Sequence, residues 1–277
     1  MRTATGMPAR ILTGIAAAAV VAFSLFPVLW MVLSAFDAGA GQSRRHPLDI
    51  TWTWSHFSGV FTEGGLGLFL RNSAVIALVT VVCSGVVALL AAVAVARFRF
   101  RLRTTVLLMV LAVQMVPLEA LVIPLFVQVR DLGLLGQLAG LALVYVAFSL
   151  PFGIWMLRGF VAAIPVELEE AAFIDGASWG RMFRSVLLPL TAPGLAATSV
   201  FAFITAWNEF IFAMTLLGGN THSYTVAIGL KQFFGEYSND WGSVMAASTV
   251  MTIPVVIFFV IVQSRISGGL VAGAVKG

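Results

Sequence analysis

The chain alternates long apolar runs with short polar breaks, and six of the runs are long enough to cross a bilayer. They cover Ile11 to Phe36, Ser73 to Ala96, Thr104 to Val127, Leu138 to Phe160, Pro193 to Leu217 and Val244 to Gln263. None shows the two-residue alternation of a barrel strand, and hydrocarbon offers backbone groups no water, so each run predicts a helix. Pro124, Pro151 and Pro254 lie in or beside these runs and predict kinks. The first run follows Arg2 and Arg10 and is rich in alanine, as a cleaved leader is. Its apolar stretch of about 26 residues exceeds a leader core, however, and Phe36-Asp37 supplies no small-x-small site, which predicts a retained anchor.

Composition agrees with the pattern. Of 277 residues, 60% are hydrophobic and 10% charged, with a mean hydropathy of +1.01. A soluble domain carries about a quarter charged residues, so a water-soluble globule is excluded. The charges that remain set an orientation. With six spans, one side holds Arg2, Arg10, Arg97, Arg99, Arg101, Arg103, Arg158, Arg181, Arg184, Arg265 and Lys276, eleven of the sixteen basic residues. Arg44, Arg45, Arg71, Arg130 and Lys231 fall on the other, and the excess predicts that both termini are cytoplasmic. The same bias explains the net charge of +4 and the pI of 9.8 without nucleic acid. The block from Arg97 to Arg103 reads as a topology anchor. The single cysteine, Cys83, forms no internal disulfide and reads as a small buried packing residue. His46, His56 and His222 have no ligand spacing, so no metal site is expected.

One segment, Ile164 to Pro189, is too polar for the bilayer and too patterned for a plain loop. Pro165 followed by Glu167, Glu169 and Glu170 opens a helix in keeping with its macrodipole. Asp175-Gly176 ends it, Ser178 is placed to cap a second short helix, and Pro189 with Pro193 is expected to stop that helix before the fifth span. Glu167, Glu170, Ala171 and Ile174 share one helical stripe, where small alanines beside a carboxylate let a partner approach and pair. An interfacial helix resting on lipid is the alternative, but such helices are basic and this one begins acidic. A protein-docking surface is the better reading.

The string Glu170-Ala171-Ala172, then Gly176, then Val186-Leu187-Leu188-Pro189 resembles the EAA loop of bacterial ABC-importer permeases, with Val in place of the usual Ile. Ala96-Arg97-Phe98-Arg99-Phe100, Trp207-Asn208-Glu209-Phe210 and the tail Gly269 to Gly277 resemble the smaller permease of maltose-type carbohydrate importers. The resemblance covers about residues 70–277 well and the start loosely. It departs at Ala92-Val93-Ala94, where many relatives carry Ala-Tyr-Ala.

The resemblance implies an all-α membrane protein of six transmembrane helices, with a cytoplasmic two-helix coupling loop at 164–189. Residues 1–69 then form an anchor helix and outer loop, and 70–277 the permease domain. It further implies a multi-pass subunit of the bacterial inner membrane, working with a second homologous permease, two ATP-binding cassette subunits and an extracytoplasmic sugar-binding protein. Glu170, Ala171, Ala172, Asp175, Gly176, Leu188 and Pro189 are the implied ATPase-coupling residues, and the tail is implied to approach the ATPases. ATP and magnesium are expected on those partners, with no cofactor in this chain. In agreement, a phosphate-binding loop needs Gly-Lys-Ser/Thr, whereas Lys231 precedes Gln232 and Lys276 precedes Gly277. No catalytic pattern is present, which makes the chain a transport subunit.

Polar and ionisable groups within membranes commonly mark a pathway, and Gln114, Glu119, Asn208 and Glu209 lie in or near the runs. One reading is a water-lined carbohydrate route; the other is a membrane boundary or a helix contact. An ion-coupled secondary transporter using Glu119 or Glu209 is the competing function, and a structural anchor a third. On the opposite side, Thr51-Trp52-Thr53-Trp54 reads as interfacial anchors, with binding-protein contact as the alternative. The loop from Gly218 to Gly242, with Tyr224, Phe233, Phe234, Tyr237 and Trp241, reads either as reaching that protein or as ordinary packing.

Overall fold

The computed structural model describes residues 7–41, 49–235 and 239–274, with side chains over 11–41, 49–235 and 239–265. Arg2, Arg44, Arg45, His46, Tyr237 and Lys276 lie outside the described residues, as do the side chains of Arg10 and of the tail from Gly269 onward.

The described chain is helical, with only the isolated bridges Asp37–Trp52 and Phe234–Asn239 besides. In order come α1 (Met7–Ala35), α2 (Ser55–Thr62), α3 (Leu66–Arg97), α4 (Arg103–Gln114), α5 (Val122–Asp131) and α6 (Leu138–Ala163). They are followed by α7 (Glu167–Ile174), α8 (Trp179–Met182), α9 (Leu188–Asn208), α10 (Ile211–Leu217), α11 (Val226–Gly229) and α12 (Trp241–Ala274). Five helical runs are long and apolar enough to cross a membrane, and a bent pair makes a sixth if its arms count as one span. The chain is a multi-pass membrane protein.

Two of the predicted runs are not single rods. The run from Thr104 to Val127 breaks after Gln114 at Met115-Val116-Pro117, and its arms Arg103–Gln114 and Leu118–Asp131 are bent by 97°. Pro117 has no N–H to continue the ladder and adopts ψ 128°, which turns the chain before a 3₁₀ turn at Leu118–Leu121. The run from Pro193 to Leu217 breaks at Glu209, whose extended backbone separates α9 from α10.

Conversely, Pro189 and Pro193 do not end the second coupling helix. Trp179–Asn208 is one continuous 30-residue helical run. A π-helical turn at Phe183–Leu187 precedes Pro189, with the Leu188 N–H donating five residues back to the Phe183 carbonyl. Such a widened turn is a usual way for a helix to absorb irregularity, and Pro189 sits in the first turn of α9, where its missing N–H costs little.

The chain divides into two compact units. The larger, residues 67–229 and 253–277, is built on α6 packed against α9. A buried cluster joins Ala88, Leu89, Ala92 and Val93 of α3 to Leu157, Val161 and Ile164 at the end of α6, and to Met182 and Leu187 of the Trp179–Asn208 run. At Gly194 the Phe160 ring lies where a side chain would begin, its Cδ2 2.6 Å from an added Cβ. Gly194→Ala is therefore expected to destabilise the fold by about 1–3 kcal/mol through overpacking, measurable by reversible unfolding in detergent. The start of α3 is tied down by Asn72, whose amide donates to the carbonyls of His222 (2.8 Å) and Tyr224 (3.0 Å). The neighbouring Ser73 hydroxyl accepts the Val226 N–H at 2.8 Å. Cys83 is exposed on α3, contrary to the buried position expected, and the adjacent Ser84 is buried instead. Apolar residues occupy every face of α3, so hydropathy alone does not report its rotation.

The smaller unit comprises residues 1–66 and 230–252. No residue of the spanning window of α1 is buried, so its apolar side chains are uncovered along that window. Phe36 gathers Trp54 and Phe57 at centroid distances of 4.7 Å each, while Trp52 and Trp54 remain exposed. Asp240 caps α12 by accepting the Ser243 N–H at 3.1 Å. Burial pushes its carboxyl up, but the Ser243 hydroxyl and N–H and the nearby His56 outweigh this and hold it below the usual carboxylate value. A carboxyl lowered in this way stabilises the folded form above its unfolded pKa and ceases to as pH falls through the folded one. The first-turn amides of α12 are thus expected to lose protection, measured against the intrinsic exchange rate at each pH, below about pH 4 relative to pH 7, and an Asp240→Asn variant should lose that difference.

Candidate functional site

The segment after α6 forms the expected helix and turn. Ile164 leaves α6 with extended geometry, and Glu167, Glu169 and Glu170 occupy the first turn of α7. At its other end, the Gly176 N–H donates to Phe173 and the Ala177 N–H to Ala172, a Schellman closure. Gly176 takes φ +80°, a left-handed conformation that only glycine adopts without strain. Ser178 stands at the next helix start with extended backbone, but its hydroxyl makes no capping bond.

Glu167, Glu170, Ala171 and Ile174 are all exposed, and Ile174 is 86% exposed. The Glu170 side chain makes no hydrogen bond or ion pair to any described residue. Together they form an accessible stripe of carboxylates, a methyl and an aliphatic side chain. Asp175, Gly176 and Pro189 are likewise exposed. Ala172 and Leu188 instead pack partly against the buried cluster below. A neighbouring concave surface of about 590 Å³ is lined by Ser178, Gly180, Arg181, Phe183, Arg184 and Ser185. The segment thus presents acidic groups on its first helix and basic groups on its second.

Sequence reasoning missed Glu169. It is buried, and its Oε1 accepts a hydrogen bond from Arg97 Nε at 2.5 Å. The only signal for it is Arg97, which in the sequence belongs to the basic block that reads as a topology anchor.

The four intramembrane candidates fall at the two helix breaks. Gln114 ends α4 and lines a cavity of about 200 Å³ with Phe148, Phe152 and Phe201 among others. Glu119 is exposed in the 3₁₀ turn just beyond. Asn208 ends α9, and Glu209 caps α10. The Glu209 carboxylate accepts the N–H of Phe212 (2.8 Å) and of Ala213 (2.9 Å), and the Tyr145 hydroxyl of α6 at 2.6 Å. Neither Glu119, Asn208 nor Glu209 lines the Gln114 cavity.

Residues 84–270, more than half of the chain, match the family described as binding-protein-dependent transport system inner membrane component. The chain belongs to that family. Among its family relatives, the diacetylchitobiose uptake system permease protein DasC of Streptomyces coelicolor is 40% identical, over 91% of this chain and 92% of its own length. The trehalose transport system permease protein SugB of Mycobacterium tuberculosis is 36% identical, over 93% and 94% respectively. The same fold occurs in the crystal structure of a bacterial ABC transporter that imports alginate, with a TM-score of 0.78 at 23% identity, over 95% of this chain and 98% of that one. The family assignment covers both helix breaks and the whole of α7 and α8.

Proposed function

We propose that the chain is the transmembrane permease subunit of an ATP-driven ABC importer, moving a carbohydrate from an extracytoplasmic binding protein into the cytoplasm. The observation that carries this reading is the exposed stripe on α7, a charged docking surface on an otherwise apolar protein. The diacetylchitobiose and trehalose permeases among its relatives support carbohydrate as the cargo.

In this reading the chain lies in a bacterial inner membrane with six spans and both termini cytoplasmic. Residues 1–69 serve as anchor and outer loop, and 70–277 as the transport body. A second, related permease completes the pathway, and two ATP-binding cassette subunits hydrolyse ATP, a division supported by the lack of a Gly-Lys-Ser/Thr string in this sequence. Glu170 and Ala171 meet an ATPase subunit, with Asp175 and Gly176 setting the turn behind them. Ala172, Leu188 and Pro189 join that surface to the membrane helices. Closure of the ATPase pair then drives alternating access. Gln114, Glu119, Asn208 and Glu209 belong to the helix breaks flanking the path, where non-helical backbone is tolerated beside a cavity. Ion coupling through Glu209 is disfavoured by the three donors that already hold its carboxylate.

The test is co-expression with the partner subunits and reconstitution into vesicles, followed by uptake of labelled mono- and oligosaccharides. Uptake should require both internal ATP and the binding protein. Uptake that persists without ATP and collapses with the proton gradient would overturn the proposal.

A further inference from the structure

The basic block after α3 is not uniform. Arg99 and Arg101 are exposed, as topology charges are, but the Arg97 side chain is only 13% exposed. Its Nε donates to Glu169 of α7, and its Nη2 donates to the Ile164 carbonyl at 2.9 Å, one of the carbonyls left open where α6 ends. One guanidinium therefore joins the end of a 32-residue helix to both the exit of α6 and the docking helix. The next residue adds a second tether, with the Phe98 ring 6.4 Å from Trp179, which in turn stacks on Phe183.

Glu170 and Glu169, about 100° apart around the helix, thus differ in surroundings, one exposed and one turned inward to α3. We infer that Arg97 is a positioning residue that clamps the docking helix to α3, so that displacement of α7 is delivered to α3 as well as along the Trp179–Asn208 run. A planar fork suits this role, because it holds two acceptors at a fixed angle, where lysine offers a point charge. The inference rests on the reading of α7 as the ATPase-docking element.

The decisive variant is the neutral double, Arg97→Gln with Glu169→Gln, which removes the tether without leaving a buried charge unpaired. In the reconstituted transporter it should still assemble, while the ATP hydrolysed per sugar imported rises about tenfold, the middle of the range for groups in contact. Arg97→Lys should recover part of the loss, and it serves as the comparison if the double variant assembles poorly. Spin labels at Arg99→Cys and Ile174→Cys, in a Cys83→Ser background, should give a narrow distance distribution with Arg97 present and a broad one without it. Parental coupling in the double variant, or an unchanged distance distribution, would overturn the clamp. The label measurement needs neither sugar nor ATPase, so failure of the clamp is distinguishable from failure of the transport reading.

Discussion

Glu170→Lys should abolish sugar-dependent ATP hydrolysis by the assembled transporter while leaving the permease inserted and folded. The side chain is exposed and makes no bond to a described residue, so the cost to stability should be that of reversing a charge in the first turn of α7, about 1 kcal/mol. At a docking surface the same reversal places like charges together, costing about 2–5 kcal/mol, and at least about thirtyfold in affinity for the ATPase. Co-purification of the ATPase subunits and sugar-stimulated hydrolysis check the two halves separately. A variant that keeps both would remove α7 as the docking element. One that loses both along with its own folding would show that Glu170 holds the permease together instead.

Glu209→Ala should be the most damaging single change within the spans. It removes the cap of α10, typically about 0.5–2 kcal/mol, and charge-assisted bonds worth about 1.5–3 kcal/mol each in measured series. Two amides and the Tyr145 hydroxyl then lose their acceptor. A net loss of about 3 kcal/mol is expected, with Tyr145→Phe losing about 1 kcal/mol because the carboxylate keeps its two amides. Reversible unfolding in detergent measures both, and transport by the surviving protein shows what remains. If Glu209→Ala is as stable as the parent but does not transport, Glu209 acts in the pathway itself.

The contrast between Glu169 and Glu170 shows where sequence reading stops. The first turn of α7, its glycine closure and its exposed stripe are local, set by neighbours within four residues, and all were legible. Which of two adjacent glutamates turns inward depends on Arg97, 72 positions away, and no local pattern carries that information. Hydropathy has a matching limit. It reported that Thr104 to Val127 and Pro193 to Leu217 prefer hydrocarbon, which a bent pair and a broken rod satisfy as well as straight helices do. The signal for the breaks lay in single residues, Pro117 with its missing donor and Glu209 with its capping carboxylate. Cys83 and Ser84 illustrate the same loss of phase, since rotating a helix that is apolar on every face changes little that hydropathy records. Pro189 misled because proline reads as a stop, whereas the π turn before it lets the helix proceed.

That continuity has a mechanical consequence. Thirty residues of helix from Trp179 to Asn208 make a lever about 45 Å long. Its first end carries Arg181 and Arg184, and its far tip ends where Glu209 breaks the chain before α10. A tilt of about 10° about the first end carries the tip sideways by about 8 Å, more than one helical turn of rise. A rocking of the run about its Trp179 end would thereby be magnified into a displacement of several ångströms beside Glu209, with no intermediate element needed to relay it.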